Sequence, residues 1–291
     1  MAAVFEQIDA RYESAAETPV VPFEPGVFTD LPADDYFRIE ALSSSACKLL
    51  LRSPAHYWWE KNNPSEPSKS QSLGTAVHLG ILEPHRFDAE VVLMPDFNRR
   101  TNAGKADAEA WERENAGKVW LNAQDLARAR SMIGAVQRHP GAQRLLDGGR
   151  PEVTLMWRDA QYGVPCKARV DFHRDDRGMV DLKTTIDASP EGFGRQVANL
   201  LYHVQAAHYW SGAEHLLDES PPFWAWIAVE NEAPYCVGTY VVQSDALRIG
   251  MRKQERAVIR YAEATKRGFW WGYPDTIEPI NLPGWALKES M

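Results

Sequence analysis

Residues 164–185 read VPCKARVDFHRDDRGMVDLKTT, and EVTLMWRD precedes them at 152–159. The segments 152–159, 164–174 and 179–185 are each short and rich in β-branched or apolar residues, with Gly163 and Gly178 in the loops between them. That is the pattern of three consecutive antiparallel strands. Side chains alternate along a strand. Alternation places Asp181 and Lys183 on one face of the third strand. It places Lys167, Arg169 and Asp171 on one face of the second, and Glu152, Thr154 and Met156 on one face of the first. The opposite faces carry Val153, Leu155 and Trp157, then Ala168, Val170 and Phe172, then Val180 and Leu182. The meander is therefore expected to bury one apolar face and to gather Glu152, Asp171, Asp181 and Lys183 on the other.

A half-exposed sheet with its charges in water would show the same alternation. Three acids and a lysine on neighbouring strands point further. Carboxylates held close repel one another, and a shared divalent cation relieves the repulsion. Hard carboxylate oxygens suit Mg2+, with Mn2+ as a substitute. A lysine beside such an ion can position or deprotonate a water and balance developing negative charge. This is the chemistry of phosphodiester hydrolysis.

Upstream of the meander the signals are helical. Ser43–Ser45 offer an N-cap before Cys47–Leu51, and Pro54 starts a second short helix. Residues 61–72 read as a polar loop, and residues 72–84 as a helix with Leu73, Ala76, Val77, Gly80 and Ile81 on one face, ended by Pro84. Residues 96–120 are polar, with a basic spot at Arg99, Arg100 and Lys105 that is a candidate DNA contact. Residues 122–147 form one helical pattern broken near Pro140. Downstream, Ser189-Pro190-Glu191 opens a helix that runs to Leu217 with a break near Tyr202. Residues 223–230 and 236–243 read as strands, and Ser244-Asp245 caps a last helix. The order implies an α/β fold with a central mixed β-sheet flanked by helices.

Charge is unevenly spread. The chain carries −8 overall, but residues 1–40 hold nine acids and two arginines, which is −7 of it, leaving −1 for residues 41–291. With Pro19, Pro22, Pro25 and Pro32, residues 1–40 read as an acidic N-terminal arm on the surface or partly disordered, ahead of one catalytic domain at 41–291. A nearly neutral body is compatible with a local basic groove. Cys47, Cys166 and Cys236 are scattered, without a C-x-x-C pair for a zinc ribbon, and suggest reduced thiols in a cytoplasm. The N-terminus lacks a secretory pattern, and the longest apolar run, Phe223–Val229, is too short to span a bilayer, so no membrane partner is expected. No Walker A motif is present, so no ATP use is expected.

Asp171, nine intervening residues, and Asp181-Leu182-Lys183 resemble the core of PD-(D/E)xK (restriction-endonuclease-like) nucleases. Val204-Gln205-Ala206-Ala207-His208-Tyr209 resembles the Q-x-x-x-Y helix of the exonuclease branch. Leu73–His78 resembles the upstream helix whose histidine joins the site there. The segment LSSSACKLLLRSPAHYWW (42–59) resembles the N-terminal part of phage and prophage exodeoxyribonuclease VIII (RecE-type) nuclease domains, and the likeness extends over residues 41–270. The resemblance implies Asp171, Asp181, the Leu182 carbonyl and His78 as metal ligands, and Lys183 as the catalytic lysine. It matches Glu152 to the acid of the preceding strand, and Gln205 with Tyr209 to the Q-x-x-x-Y pair. Three scattered cysteines cannot build the four-cysteine iron–sulfur cluster of some relatives, so none is expected.

The expected activity is Mg2+-dependent 5′-to-3′ digestion of double-stranded DNA ends in phage-type recombination. By the same resemblance, a single-strand annealing protein is the expected partner and a homo-oligomeric ring the expected assembly. The alternatives are a structure-specific or endonucleolytic enzyme of the same fold and a catalytically silent DNA-binding module. A carboxylate-pair glycosidase is disfavoured by Lys183.

Overall fold

The three strands of the meander form as expected: β4 (Gly149–Arg158), β5 (Pro165–Arg174) and β6 (Met179–Thr185). The structure, a computed structural model, describes residues 21–63, 69–217 and 219–282. Ahead of the meander lie β1 (Gly26–Phe28), α1 (Ala33–Arg38), α2 (Ser44–Arg52), α3 (Pro54–Asn62) and α4 (Lys69–Leu82). There follow α5 (Pro84–Glu90), β2 (Val91–Leu93), α6 (Asn102–Glu114), β3 (Val119–Leu121), α7 (Ala123–Arg138) and α8 (Pro140–Leu145). After the meander come α9 (Pro190–Asn199), α10 (Tyr202–Leu217), β7 (Trp224–Glu230), β8 (Val237–Val241) and α11 (Ser244–Arg267). The main sheet has the order β1-β4-β5-β6-β7-β8, antiparallel except for the parallel pair β6–β7. A parallel pair needs a long crossover, and α9 with α10 supply it. Strands β2 and β3 form a separate parallel pair.

Helices cover both sides of the sheet, as the order of elements implied, but the apolar face expected of the meander is divided between the two sides. Val153, Leu155, Trp157, Ala168, Val170 and Met179 pack with residues of α2, α10 and α11. Phe172, Val180 and Leu182 pack instead with residues of α4 and α7. Thr154 and Met156, expected on the charged face, are buried. Strands at the centre of a two-sided mixed sheet lose the polar alternation of an open one.

Three local readings also change. The polar stretch 96–120 contains α6, capped by the Thr101 side chain, and β3; Trp111 and Trp120 meet edge to face at 5.4 Å to hold them. Pro84 opens α5 at its first turn, where a missing N–H costs nothing, after α4 has ended at Leu82. The residue capping α11 is Gln243, with no side-chain cap bond. The break near Tyr202 is present: α9 and α10 are separated by Leu201, which has φ 55°.

Half of the acidic arm, residues 1–20, and residues 64–68 of the expected loop lie outside the described residues. The other half of the arm is built into the fold. β1 pairs with β4, and Tyr36 of α1 is buried. Lys167 of β5 donates to the carbonyls of Tyr36 at 2.6 Å and Ile39 at 2.7 Å, with its ammonium 4.6 Å from the Tyr36 ring centre. Backbone hydrogen bonds Leu42 N to Pro165 O and Lys167 N to Leu42 O continue the attachment past residue 40. Residues 40 and 41 therefore mark no structural break, because the buried Lys167 ammonium needs the arm's carbonyls.

His208 of α10 ties α2 and β5 together. Its Nε2 lies 3.1 Å from Lys167 O, its Nδ1 lies 3.7 Å from Cys47 Sγ, and its ring sits 4.9 Å from that of Trp157. Burial pushes its pKa down to about 4, below the ordinary 6.5. The unfolded chain thus binds the proton more readily, so this contribution is complete above 6.5 and is lost as pH falls toward 4. We expect His208→Gln to be less stable than the parent at pH 7, with the gap narrowing by about 2 kcal/mol at pH 4.5. Urea melts of both proteins at the two pH values check this, and a pH-independent gap would contradict it.

Candidate active site

The site begins where two strands part. β5 and β6 make rungs at Phe172–Val180 and His173–Met179, and the ladder stops there. In continuous register the next rung would join Asp171 to Asp181, two like charges side by side, which destabilises a sheet. Instead the strands splay, and the Asp171 Oδ2 accepts the Leu182 N–H at 2.8 Å. A carboxylate thus replaces the missing ladder acceptor and is fixed against the neighbouring strand. α4 brings His78, whose Nδ1 lies 3.5 Å from the same Asp171 oxygen.

Asp181 is buried and stands between two side chains. Gln205 of α10 donates to its Oδ1 at 2.7 Å, and the Lys183 ammonium lies 2.6 Å from its Oδ2. That ammonium is off the direction a hydrogen bond requires, so Oδ2 is a buried oxygen without a directed donor. Lys183 also lies 5.0 Å from the Tyr202 ring centre. Tyr209, one turn beyond Gln205, is buried and packs edge to face on Trp224. The i, i+4 spacing therefore puts the Q-x-x-x-Y pair on one side of α10, as expected.

The electrostatics follow from crowding. Burial raises the Asp181 carboxyl to about 6, opposed by the Lys183 charge and aided by Asp171. Burial also raises Asp171, against the pull of Lys183 and the Leu182 N–H. Burial disfavours the Lys183 charge, but Asp181 and Asp171 outweigh it and raise its pKa. His78 is lowered by burial and by Lys183. The carboxylates thus share one lysine as their counter-charge.

Glu152 is paired differently, although it stays close enough to Asp171 and His78 for their charges to act on it. Its Oε2 accepts from Arg169 Nε at 2.6 Å. Among the described residues no three His, Cys, Asp or Glu side chains form a ready-made metal shell. Asp181 is occupied by Lys183 and Gln205, and Glu152 by Arg169. The donors present nevertheless fit a small hard cation. Asp171, the Asp181 Oδ2 that has an ammonium beside it but no directed donor, and the Leu182 carbonyl are all oxygen donors, and Mg2+ keeps several waters, so few protein ligands are enough.

A groove of about 1250 Å3 opens over the site, lined by His78, Glu152, Asp171, Arg169, Tyr202 and Tyr209 among others. Arg99, Arg100 and Lys105 do not line it. Arg99 pairs with Glu112 at 2.5 Å, and Arg99 and Arg100 border a separate hollow near Met94–Phe97. Sequence reasoning missed Lys48 of α2, whose ammonium lies 5.0 Å from the same Tyr202 ring as Lys183. Burial and the Lys183 charge push its pKa down to about 8. Its one sequence signal is a lysine inside the apolar run CKLLL.

Residues 43–282 match a family described as a PDDEXK-like domain of unknown function (DUF3799). A candidate exonuclease of Eubacterium rectale has a similar structure, with a TM-score of 0.59 at 15% identity, covering 91% of this chain and 100% of its own. The protein SSO0001 is far more remote, with a TM-score of 0.28 at 16% identity over 67% of this chain and 86% of its own. No curated protein sequence matches the chain. Among the described residues no helix is long and apolar enough to cross a membrane.

Gln205 should matter through Asp181. We expect Gln205→Leu to lower metal-free stability by about 1–3 kcal/mol, because it strips a buried carboxylate of its donor. The same substitution in an Asp181→Ala background should cost clearly less. A double-mutant cycle of denaturant melts measures the difference, and additive costs would place the role of Gln205 elsewhere.

Proposed function

Because the chain belongs to the PDDEXK-like family DUF3799, we propose that it is a divalent-metal-dependent deoxyribonuclease that degrades double-stranded DNA from its ends. The observation that carries this reading is the splayed pair of strands. It holds Asp171, which lines the groove, against Leu182 N–H and sets Lys183 2.6 Å from the buried Asp181 behind it.

Each residue then has a task. When bound, Mg2+ or Mn2+ would lie among Asp171, Asp181 and the Leu182 carbonyl and act as a Lewis acid toward a phosphate oxygen. Gln205 holds Asp181 in one rotamer, and His78 supports Asp171. Lys183 provides a positive charge where negative charge builds on the phosphate, and the Tyr202 face steadies that ammonium. Tyr209 closes the wall behind Gln205 and Asp181.

Digestion from an end with 5′-to-3′ polarity, a single-strand annealing partner and a ring-shaped assembly rest on the resemblance of residues 42–59 to RecE-type nuclease domains. A ring would supply processivity that the nearly neutral body lacks. Mg2+ dependence belongs to the same proposal.

Three measurements test it. Asp171→Ala and Asp181→Ala should abolish cleavage, and Lys183→Ala should lower kcat by roughly a hundredfold while Mn2+ binding survives. Steady-state kinetics on a labelled duplex and calorimetric titration of Mn2+ read these out, and wild-type turnover in any of the three would remove that residue from the mechanism. One plasmid, offered closed and linearised, separates the modes: an end-directed enzyme consumes only the linear form. Rapid cutting of the closed circle would favour an endonuclease.

A further inference from the structure

Glu152 carries three observations that the proposed mechanism leaves unused. First, the rungs Pro151–Phe172 and Val153–Val170 bracket it, and the register makes Asp171 its partner, yet that rung is not formed. Second, its backbone has φ 55°, a left-handed conformation that a residue with a Cβ avoids unless its surroundings hold it there. Third, its carboxylate is bound by Arg169 Nε at 2.6 Å, with both side chains largely shielded. Arg169 itself is anchored, since its Nη1 donates to the Leu31 carbonyl at 3.0 Å and its guanidinium lies 5.7 Å from the Tyr36 ring centre. The segment just before and within α1 thus holds the arginine, and the arginine holds the acid.

This geometry has a chemical consequence. A groove with three free carboxylates would present a strongly anionic cradle able to gather additional cations. Here one of the three is neutralised by a fixed guanidinium, whose planar fork and permanent charge make it a durable partner. We infer that Arg169 is a positioning residue that keeps Glu152 out of the cation-binding set, so that the divalent ion is held through Asp171 and Asp181 without it. The inference rests on the metal-dependent reading above. It assigns residues 31–36 a part in shaping the site through Leu31 and Tyr36.

Calorimetric titration of Mn2+ into the full-length protein, without DNA, tests this. The panel is the parent, Asp171→Asn, Glu152→Gln, Arg169→Gln and the double variant Glu152→Gln/Arg169→Gln. Glu152→Gln should bind Mn2+ within about twofold of the parent, whereas Asp171→Asn should weaken it by about tenfold or more. Arg169→Gln should bind at least about fivefold more tightly or take up a second ion, because the freed carboxylate joins the site. The double variant should return to the parent's affinity, a reversal that loss of structure would not produce.

If Glu152→Gln weakens Mn2+ binding as much as Asp171→Asn, Glu152 is a ligand and the inference is overturned. Unchanged affinity in a folded Arg169→Gln overturns it equally. Should that variant fail to melt cooperatively, the comparison of Glu152→Gln with Asp171→Asn decides alone. A parent that binds no Mn2+ would instead sink the metal-dependent reading itself, and the inference with it.

Discussion

The hydrogen bond from Leu182 N–H to the Asp171 carboxylate is the point on which the site turns. It exists because β5 and β6 cannot continue their ladder without setting Asp171 directly against Asp181. Splaying removes that clash and leaves a backbone donor unpaired inside the protein, and the Asp171 side chain satisfies it. The same opening admits His78 from α4 on one side and leaves Asp181 to Gln205 and Lys183 on the other. Without the splay, the acids would belong to an ordinary antiparallel sheet and no groove would form over them.

Charge balance is the second constraint. The acids of the groove are shielded enough that each needs a stated counter-charge or donor. Asp181 has Lys183 and Gln205, Asp171 has the Leu182 N–H and the more distant Lys183, and Glu152 has Arg169. These partners come from different parts of the chain. Gln205 lies on the crossover helix between the parallel strands, and Arg169 is held by a carbonyl of residue 31. The N-terminal segment is thereby linked to the site through Arg169 and, two residues earlier on the strand, through Lys167. Its acidic composition suggested a solvated arm, yet its backbone carbonyls are what the buried cations of β5 require.

Much of the architecture was legible in advance. Asp171, Asp181 and Lys183 stand on neighbouring strands as alternation placed them, and Gln205 and Tyr209 share one side of a helix that breaks before Tyr202. These features depend on local periods, 2 for a strand and 3.6 for a helix, which a sequence displays directly. What failed was reading exposure from polarity. The stretch 96–120 is polar in sequence, yet Trp111, Trp120 and the buried Ala108 fold it around a helix. Thr154 and Met156 sit on a nominally polar face and are buried, because cover from the rest of the chain is not a local property.

The sequence by itself determined the order of the meander and the elements after it, the identity of the acids and the lysine, and the family to which they belong, since each rests on short-range spacing. Only the tertiary structure decided how those charges are paired. It turned Glu152 toward Arg169 rather than toward Asp171, left one oxygen of Asp181 without a directed donor, and brought Lys48 beside the Tyr202 ring that Lys183 also faces. The reason is physical. Side-chain periodicity says which groups share a strand or helix face, whereas pairing depends on where the ladder ends and on which distant carbonyl or cation arrives there. Those are contacts between residues far apart in the chain, as with Leu31 and Arg169 or Asp181 and Gln205, and no local pattern encodes them.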